Sequence, residues 1–163
     1  MKNILKITKL ETIPLRVPLS HTINMSIGLV SKVDHVIVKI FTDEGIVGIG
    51  EAATELGPIF SEEFQKSIIS VIENYIGPAL IGEIPSDIEK ILDKMDEVAK
   101  VNWFAKSAVD MALYDIVGKT WKVPVYQLLG GLYRNKAIIS TGVSTMNPQK
   151  DAELGSGCST IIL

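Results

Sequence analysis

The sequence holds a single cysteine, Cys158, in 163 residues. One thiol cannot close an internal disulfide, so the composition suits a reducing compartment. Clustered positive charge is missing as well. The 16 Lys and Arg are dispersed among 19 Asp and Glu, for a net charge of −3, whereas a nucleic-acid surface gathers basic residues on one face. No apolar run approaches the roughly 20 residues of a membrane span. The opening "MKNILKITKL" has neither a long apolar core nor a small-residue cleavage site, so no signal peptide is expected. Histidine is scarce: His21 and His35 stand alone. These absences lead to the expectation of a soluble cytoplasmic protein with no nucleic-acid and no membrane partner.

What is present suits a globular core, with 47% hydrophobic and 21% charged residues. The length allows one domain, or one domain and a piece of another. Residues 4–17 are rich in β-branched residues and predict a strand, with prolines at 14 and 18. Residues 19–32 show no period and predict a mobile loop. "VDHVIVKIFTDEGIVGIGEA" predicts a strand over 34–42, a turn at Asp43-Glu44-Gly45 and a strand over 46–50.

Helices follow. Ser61 is a candidate cap for a helix with Glu62 and Glu63 in its first turn, running to Ile76 and stopped by Gly77-Pro78. Ser86-Asp87-Ile88-Glu89 has the form of a capping box and opens a helix to about Lys100. Asn102 is a candidate cap for a third helix. There Ala105, Ala108, Val109, Ala112, Ile116 and Val117 share one face, and the alanines permit close approach of a neighbour. Strands followed by helices predict an α+β domain. The grammar then changes. A strand over 136–143, a short helical stretch from Asn147-Pro148 and the final run "GCSTIIL" read as the start of an α/β unit.

Isolated motifs carry little chemistry. Gly45, Gly48 and Gly50 sit in a hairpin with no helix directly after them, so they serve a turn and close packing rather than a dinucleotide loop. Asp110 and Asp115, five apart on a helix, do not share a face and pair with loops or solvent. Lys106 and Lys119 read as helix-surface lysines, His35 as structural, and Cys158 as a buried thiol.

The stretch "AKSAVDMALYDIVGKTWKVPVYQLLGG", Ala105 to Gly131, resembles the signature of the mandelate racemase and muconate lactonizing enzyme family of the enolase superfamily. "TDEGIVGIGEA" (42–52) and "IGPALIGEIPSDIE" (76–89) resemble the same family. The resemblance implies an enolase-like N-terminal capping domain over 1–130, a three-stranded antiparallel sheet plus helices. Residues 131–163 would be the first strands of an incomplete (β/α) barrel. It also implies a chemistry: a base removes the proton α to a carboxylate, and Mg2+ holds the ene-diolate, the general arrangement of the superfamily. Without that stabilisation the α-proton is far too weakly acidic to leave at neutral pH.

"EAATELGPIFSEE" (51–63) and "VNWFAKSAVDMALYD" (101–115) look most like the muconate cycloisomerase-like branch. Sugar-acid or hydroxyproline dehydratases and dipeptide epimerases share the same general features. The resemblance makes His21, Thr22, Met25, Thr54, Leu56 and Phe60 candidates for a lid over a small carboxylate substrate, with Thr141 near the end of the first barrel strand. Aligned on Ser159-Thr160-Ile161, the first lysine of the family's Lys-x-Lys pair is replaced by Ile162, and the second, commonly the base, falls beyond Leu163. The expectation is therefore a fragment with a lid but no catalytic base and no bound metal, inactive by itself. The alternative is a stand-alone capping domain acting as a homo-oligomer or through a partner.

Overall fold

The computed structural model describes residues 4–25, 28–54, 57–59, 61–136, 138–139, 148–149, 152–153 and 161–162. Three strands, β1 (Ile7–Met25), β2 (Gly28–Thr42) and β3 (Val47–Ala53), form one antiparallel sheet in the order β1-β2-β3. Helices α1 (Gln65–Val71), α2 (Gly77–Leu80), α3 (Ile88–Val98), α4 (Trp103–Trp121) and α5 (Val125–Leu128) follow, with a π-helical turn at Ile72–Ile76 between α1 and α2. This is the α+β arrangement the residue pattern predicts.

The core lies between one face of the sheet and the helices. On β2 the alternate residues Val36, Val38 and Ile40 are fully buried, as the period of two requires. They meet Ile68, Ile72 and Ile76 from the helical segment and Ala108, Ala112 and Ile116 from α4. The alanine face does what its spacing predicts. Carbon added at Gly48 or Gly50 on β3 would lie 2.1 Å from the Ala112 carbonyl oxygen or 1.8 Å from that of Ala108. Helix and strand therefore touch backbone to backbone. The Asp43-Glu44-Gly45 turn forms as expected, with Gly45 at φ +77 and its N–H donating to Thr42 O at 3.1 Å.

Other expectations are corrected. The segment read as a loop over 19–32 is mostly the far end of a long hairpin: Ile23 pairs with Val30, Asn24 with Leu29 and Met25 with Gly28. This arm reaches past the core, so few of its positions are buried and the alternation fades. Pro14 and Pro18 sit within β1 because it is an edge strand, where a missing N–H costs no ladder bond. The first helix begins at Gln65, not beside Ser61. Ser61 Oγ accepts the Glu63 N–H at 3.2 Å. Gly77-Pro78 does not stop the helical path. The chain widens into the π turn first, with Gly77 N–H donating to Ile72 O, and continues to Leu80. The capping box at Ser86 does not close: Asp87 is the N-cap and makes no side-chain cap bond. Asn102 flanks α4 in the left-handed region (φ 55) without capping it; its side-chain amide donates to Lys100 O at 2.7 Å.

Beyond α5, β4 (Ile138–Ile139) and β5 (Ile161–Ile162) form a separate two-stranded sheet. An α/β unit would pair them parallel, through a crossover helix packed on the sheet. They pair antiparallel instead, Ile138 opposite Ile162. Only residues 148–149 and 152–153 are helical among the described residues between them. Cys158 lies outside the described residues.

Candidate functional site

At one end of the sheet the β1–β2 arm meets the segment that leaves β3. Thr54, just past β3, is buried. Its hydroxyl donates to Asp34 O at 2.5 Å, its N–H donates to the same oxygen at 3.2 Å, and its carbonyl accepts the Gly57 N–H at 3.0 Å. This lid candidate is thus a fastener between β2 and the following segment. Gln65 fastens the other side: its side-chain amide donates to Leu15 O and His35 O, both at 2.9 Å. One amide with two N–H groups ties α1 to two strands.

Between these fasteners lies a groove of about 380 Å³, within the size range of small-molecule pockets. Its lining includes Arg16, Leu29, Lys32, Asp34, Pro58 and Lys66. Arg16 and Asp34 face each other across β1 and β2. The guanidinium grips both carboxylate oxygens, Nε to Oδ1 at 2.7 Å and Nη2 to Oδ2 at 3.1 Å. That bidentate hydrogen bonding holds the Asp34 carboxyl below the usual carboxylate range, with Lys32 and His35 adding to the effect. Three cations against one carboxylate leave the groove positive.

The other lid candidates are placed as follows. His21 and Thr22 lie on β1, Thr22 exposed. Met25 ends β1 opposite Gly28 and is 37% exposed. Leu56, Phe60 and Thr141 lie outside the described residues. Ile162 is in β5. No sequence pattern singles out Arg16, Lys32, Gln65 and Lys66, because only the register of β1 on β2 and the position of α1 bring them together.

Of the other charged residues weighed in the sequence, Asp115, Lys119, His35 and Lys106 have structural partners, with Asp110 the exception. Asp115 accepts the Ile49 N–H at 2.9 Å and the Lys119 ammonium at 2.6 Å, and Lys119 also donates to Val47 O at 2.7 Å. Both serve the edge strand β3. His35 Nδ1 lies 2.5 Å from Glu51 Oε1, a cross-strand pair. Lys106 is not a surface lysine: it is 6% exposed, donates to Asp96 at 2.5 Å and lies 5.2 Å from the Trp103 ring centre. The exception is Asp110, whose Oδ1 is buried without a hydrogen-bond partner. Burial pushes its carboxyl above the usual range, with Glu89 adding to the effect.

Among the described residues, no group of three or more His, Cys, Asp or Glu converges to hold a metal ion. No described helix is long and apolar enough to cross a membrane.

A family model for the mandelate racemase / muconate lactonizing enzyme N-terminal domain matches residues 7–130. The chain is 38% identical over 149 residues to an N-succinyl-L-Arg/Lys racemase of Bacillus cereus, covering 91% of this chain and 40% of the relative. It is 32% identical over 149 residues to a chloromuconate cycloisomerase of Cupriavidus pinatubonensis, with coverages of 91% and 40%. The crystal structure of a dipeptide epimerase from Enterococcus faecalis, complexed with Mg and the dipeptide L-Leu-L-Tyr, superposes with a TM-score of 0.85 at 34% identity, covering 93% of this chain and 42% of that one. The chain spans about 40% of the length of these curated relatives. With the match running from β1 to the end of α5 and beyond, the chain belongs to the mandelate racemase / muconate lactonizing enzyme family.

Proposed function

We propose that this chain supplies the substrate-covering part of an enzyme that removes the proton α to a carboxylate. The match over residues 7–130 carries the reading. In it, residues 1–130 are a capping domain and residues 131–163 belong to a barrel domain. The β1–β2 arm, with His21, Thr22 and Met25, and the segment after β3, with Leu56 and Phe60, would close over a small carboxylate and exclude water. Thr141 would stand at the barrel edge. Thr54, Gln65 and the Arg16–Asp34 pair would hold the two covering segments in place. The catalytic base and the magnesium that the family implies would be supplied and held by residues other than those described. The 163-residue chain by itself would be inactive, and it would work in the cytoplasm.

The cycloisomerase-like reading of the parent reaction has a rival in racemisation or epimerisation of an acylated amino acid or dipeptide. The higher identity to the racemase, 38% against 32%, favours the rival. Deuterium exchange tests both. The chain alone, and a chimera in which residues 7–130 replace the matching part of the Bacillus cereus racemase, are incubated in D2O with N-succinyl-L-lysine, L-Ala-L-Glu or muconolactone. The expected result is α-deuterium incorporation by the chimera and none by the chain alone. Exchange by the chain alone would overturn its proposed inactivity. A folded chimera silent on all three substrates would overturn the covering role.

A second reading, a stand-alone domain that self-associates, has one observation in its favour. The sheet face turned away from the helices carries Leu15, Val17 and Ile49, which are 39%, 40% and 48% exposed. A melting temperature that rises with protein concentration would support it.

A further inference from the structure

We infer that residues 8–12 of β1 pair with the same residues of a second copy of this chain, antiparallel, joining two three-stranded sheets into one. The inference is independent of the covering role. It goes beyond the second reading by placing self-association on a strand edge, not on a sheet face.

The two edges of the sheet differ. On β3, α4 seals the edge: Asp115 accepts the Ile49 N–H and Lys119 donates to the Val47 carbonyl. On β1, Pro14 and Pro18 lack the N–H that a neighbouring strand needs. At Ile7 the edge is already occupied. Its N–H donates to Glu83 O at 2.9 Å, and its carbonyl accepts the Gly82 N–H at 2.8 Å. Between Ile7 and Pro14 the edge is open. Among the described residues, no backbone group outside β2 bonds to the backbone of residues 8–12. An open stretch of edge is a template for another strand. A hollow of about 410 Å³ lies against it, lined by all five residues and by Ile72, Pro78 and Ile81.

The sequence of the open stretch selects the occupant. Thr8-Lys9-Leu10-Glu11-Thr12 is its own complement when read backwards. With a two-fold axis at Leu10, antiparallel pairing sets Lys9 opposite Glu11 of the second copy and Thr8 opposite Thr12 of the second copy. Each of these pairs occurs twice, and Leu10 meets Leu10. Opposite charges and threonines directly across a ladder attract, and a two-fold interface requires such self-complementarity. Lys9 and Glu11 already stand 3.0 Å apart, with side chains 61% and 39% exposed. The second copy would complete a square in which each charge has two opposite neighbours. A lone lysine on an edge keeps other strands away. Here Glu11 supplies its counter-charge in register, and a strand carrying one sign of charge would meet a like charge at Lys9 or at Glu11.

Sedimentation velocity of the 163-residue chain over a range of concentrations tests the pairing, with hydrogen exchange to locate it. The expected result is a dimer that grows with concentration and protects amides within residues 8–12. Lys9→Glu and Glu11→Lys each set like charges opposite one another and should weaken the dimer by about tenfold or more. The double variant Lys9→Glu/Glu11→Lys should restore it. An equimolar mixture of the two single variants should form a mixed dimer. Both side chains are exposed, so melts of the dilute variants should match the parent closely. A parent that stays monomeric, single variants that dimerise as the parent does, or a weakened dimer that neither the double variant nor mixing restores would overturn the pairing. A dimer indifferent to Lys9 and Glu11 but lost in Ile49→Lys would also overturn it, while leaving association through the sheet face standing. None of these results decides the covering role, which the chimera tests separately.

Discussion

Glu63 caps a helix that begins 40 residues later in the chain: its Oε2 accepts the backbone N–H of Ala105 at 3.1 Å, and its Oε1 accepts that of Phe104 at 2.8 Å. The first N–H groups of a helix have no partner within it. A negative charge there also meets the positive end of the helix dipole. The chain just before α4 leaves this role open, because Val101 and Asn102 both sit at positive φ, 58 and 55. A β-branched residue in that region is strained, and a carboxylate bonded to the following turn helps to hold it there.

Removing this cap should cost stability that no local cap replaces. Glu63→Ala leaves two N–H groups without their acceptor and is expected to lose about 2–3 kcal/mol. That corresponds to a fall in melting temperature of roughly 4–12 °C for a chain of this size. Glu63→Gln keeps one acceptor oxygen and should lose about half as much. Thermal melts of the three proteins check the order. Equal stability of Glu63→Ala and the parent would show that the cap contributes nothing.

How much of this was legible in the sequence depends on the distance over which each feature is decided. The β2–β3 hairpin was readable because Asp43-Glu44-Gly45 sets the turn locally. The buried face of α4 was readable because Ala105, Ala108 and Ala112 keep helical spacing. Glu63 reads in the sequence as a first-turn residue of its own helix, and its true partners lie 41 and 42 residues away. Lys106 reads in the sequence as exposed because Asp96, on α3, is what makes its burial tolerable. The β1–β2 arm reads in the sequence as a loop because it extends past the core and has little burial to impose alternation. The groove cations depend on strand register, which residue types alone do not fix.

The contact of β3 with α4 makes a second prediction. Gly50→Ala places a methyl group 1.8 Å from the Ala108 carbonyl oxygen, and neither backbone can yield without separating the sheet from the helix. A loss of about 3 kcal/mol or more is expected. Gly45→Ala, at φ +77 with open space around it, should cost only about 1 kcal/mol from conformational strain. Urea midpoints of the two variants should differ clearly. Similar midpoints would mean that the close approach is looser than it stands.

Glu83 offers a pH test. Hydrogen bonds from Lys90 and Lys94 lower its pKa to about 2, at contact distances of 2.8 and 2.5 Å. A carboxylate whose folded pKa is depressed stabilises the fold above its unfolded pKa, and that contribution is lost as pH falls through the folded one. The loss from Glu83 should therefore run from about pH 4.5 down to about pH 2. Carbon-13 NMR of the side-chain carboxyl should give a midpoint near 2. A midpoint near 4.5 would show that the two lysines do not hold it.

Asp110 should behave in the opposite sense. Its folded pKa is raised by burial, with Glu89 adding to it, and its Oδ1 has no hydrogen-bond partner. The folded state therefore holds the proton more tightly than the unfolded chain does. The sign follows from linkage: stability falls as pH rises from the unfolded pKa through the raised folded one, and above it the ionised carboxylate is a standing cost. Asp110→Asn removes the charge while nearly keeping the shape. It should raise the urea midpoint at pH 7, and the gain should shrink as pH is lowered toward the unfolded pKa, where the aspartate is neutral in both states. A variant less stable than the parent at pH 7 would mean that the carboxylate is satisfied in solution, by water or by another part of the protein, and that its ionised form contributes to the fold.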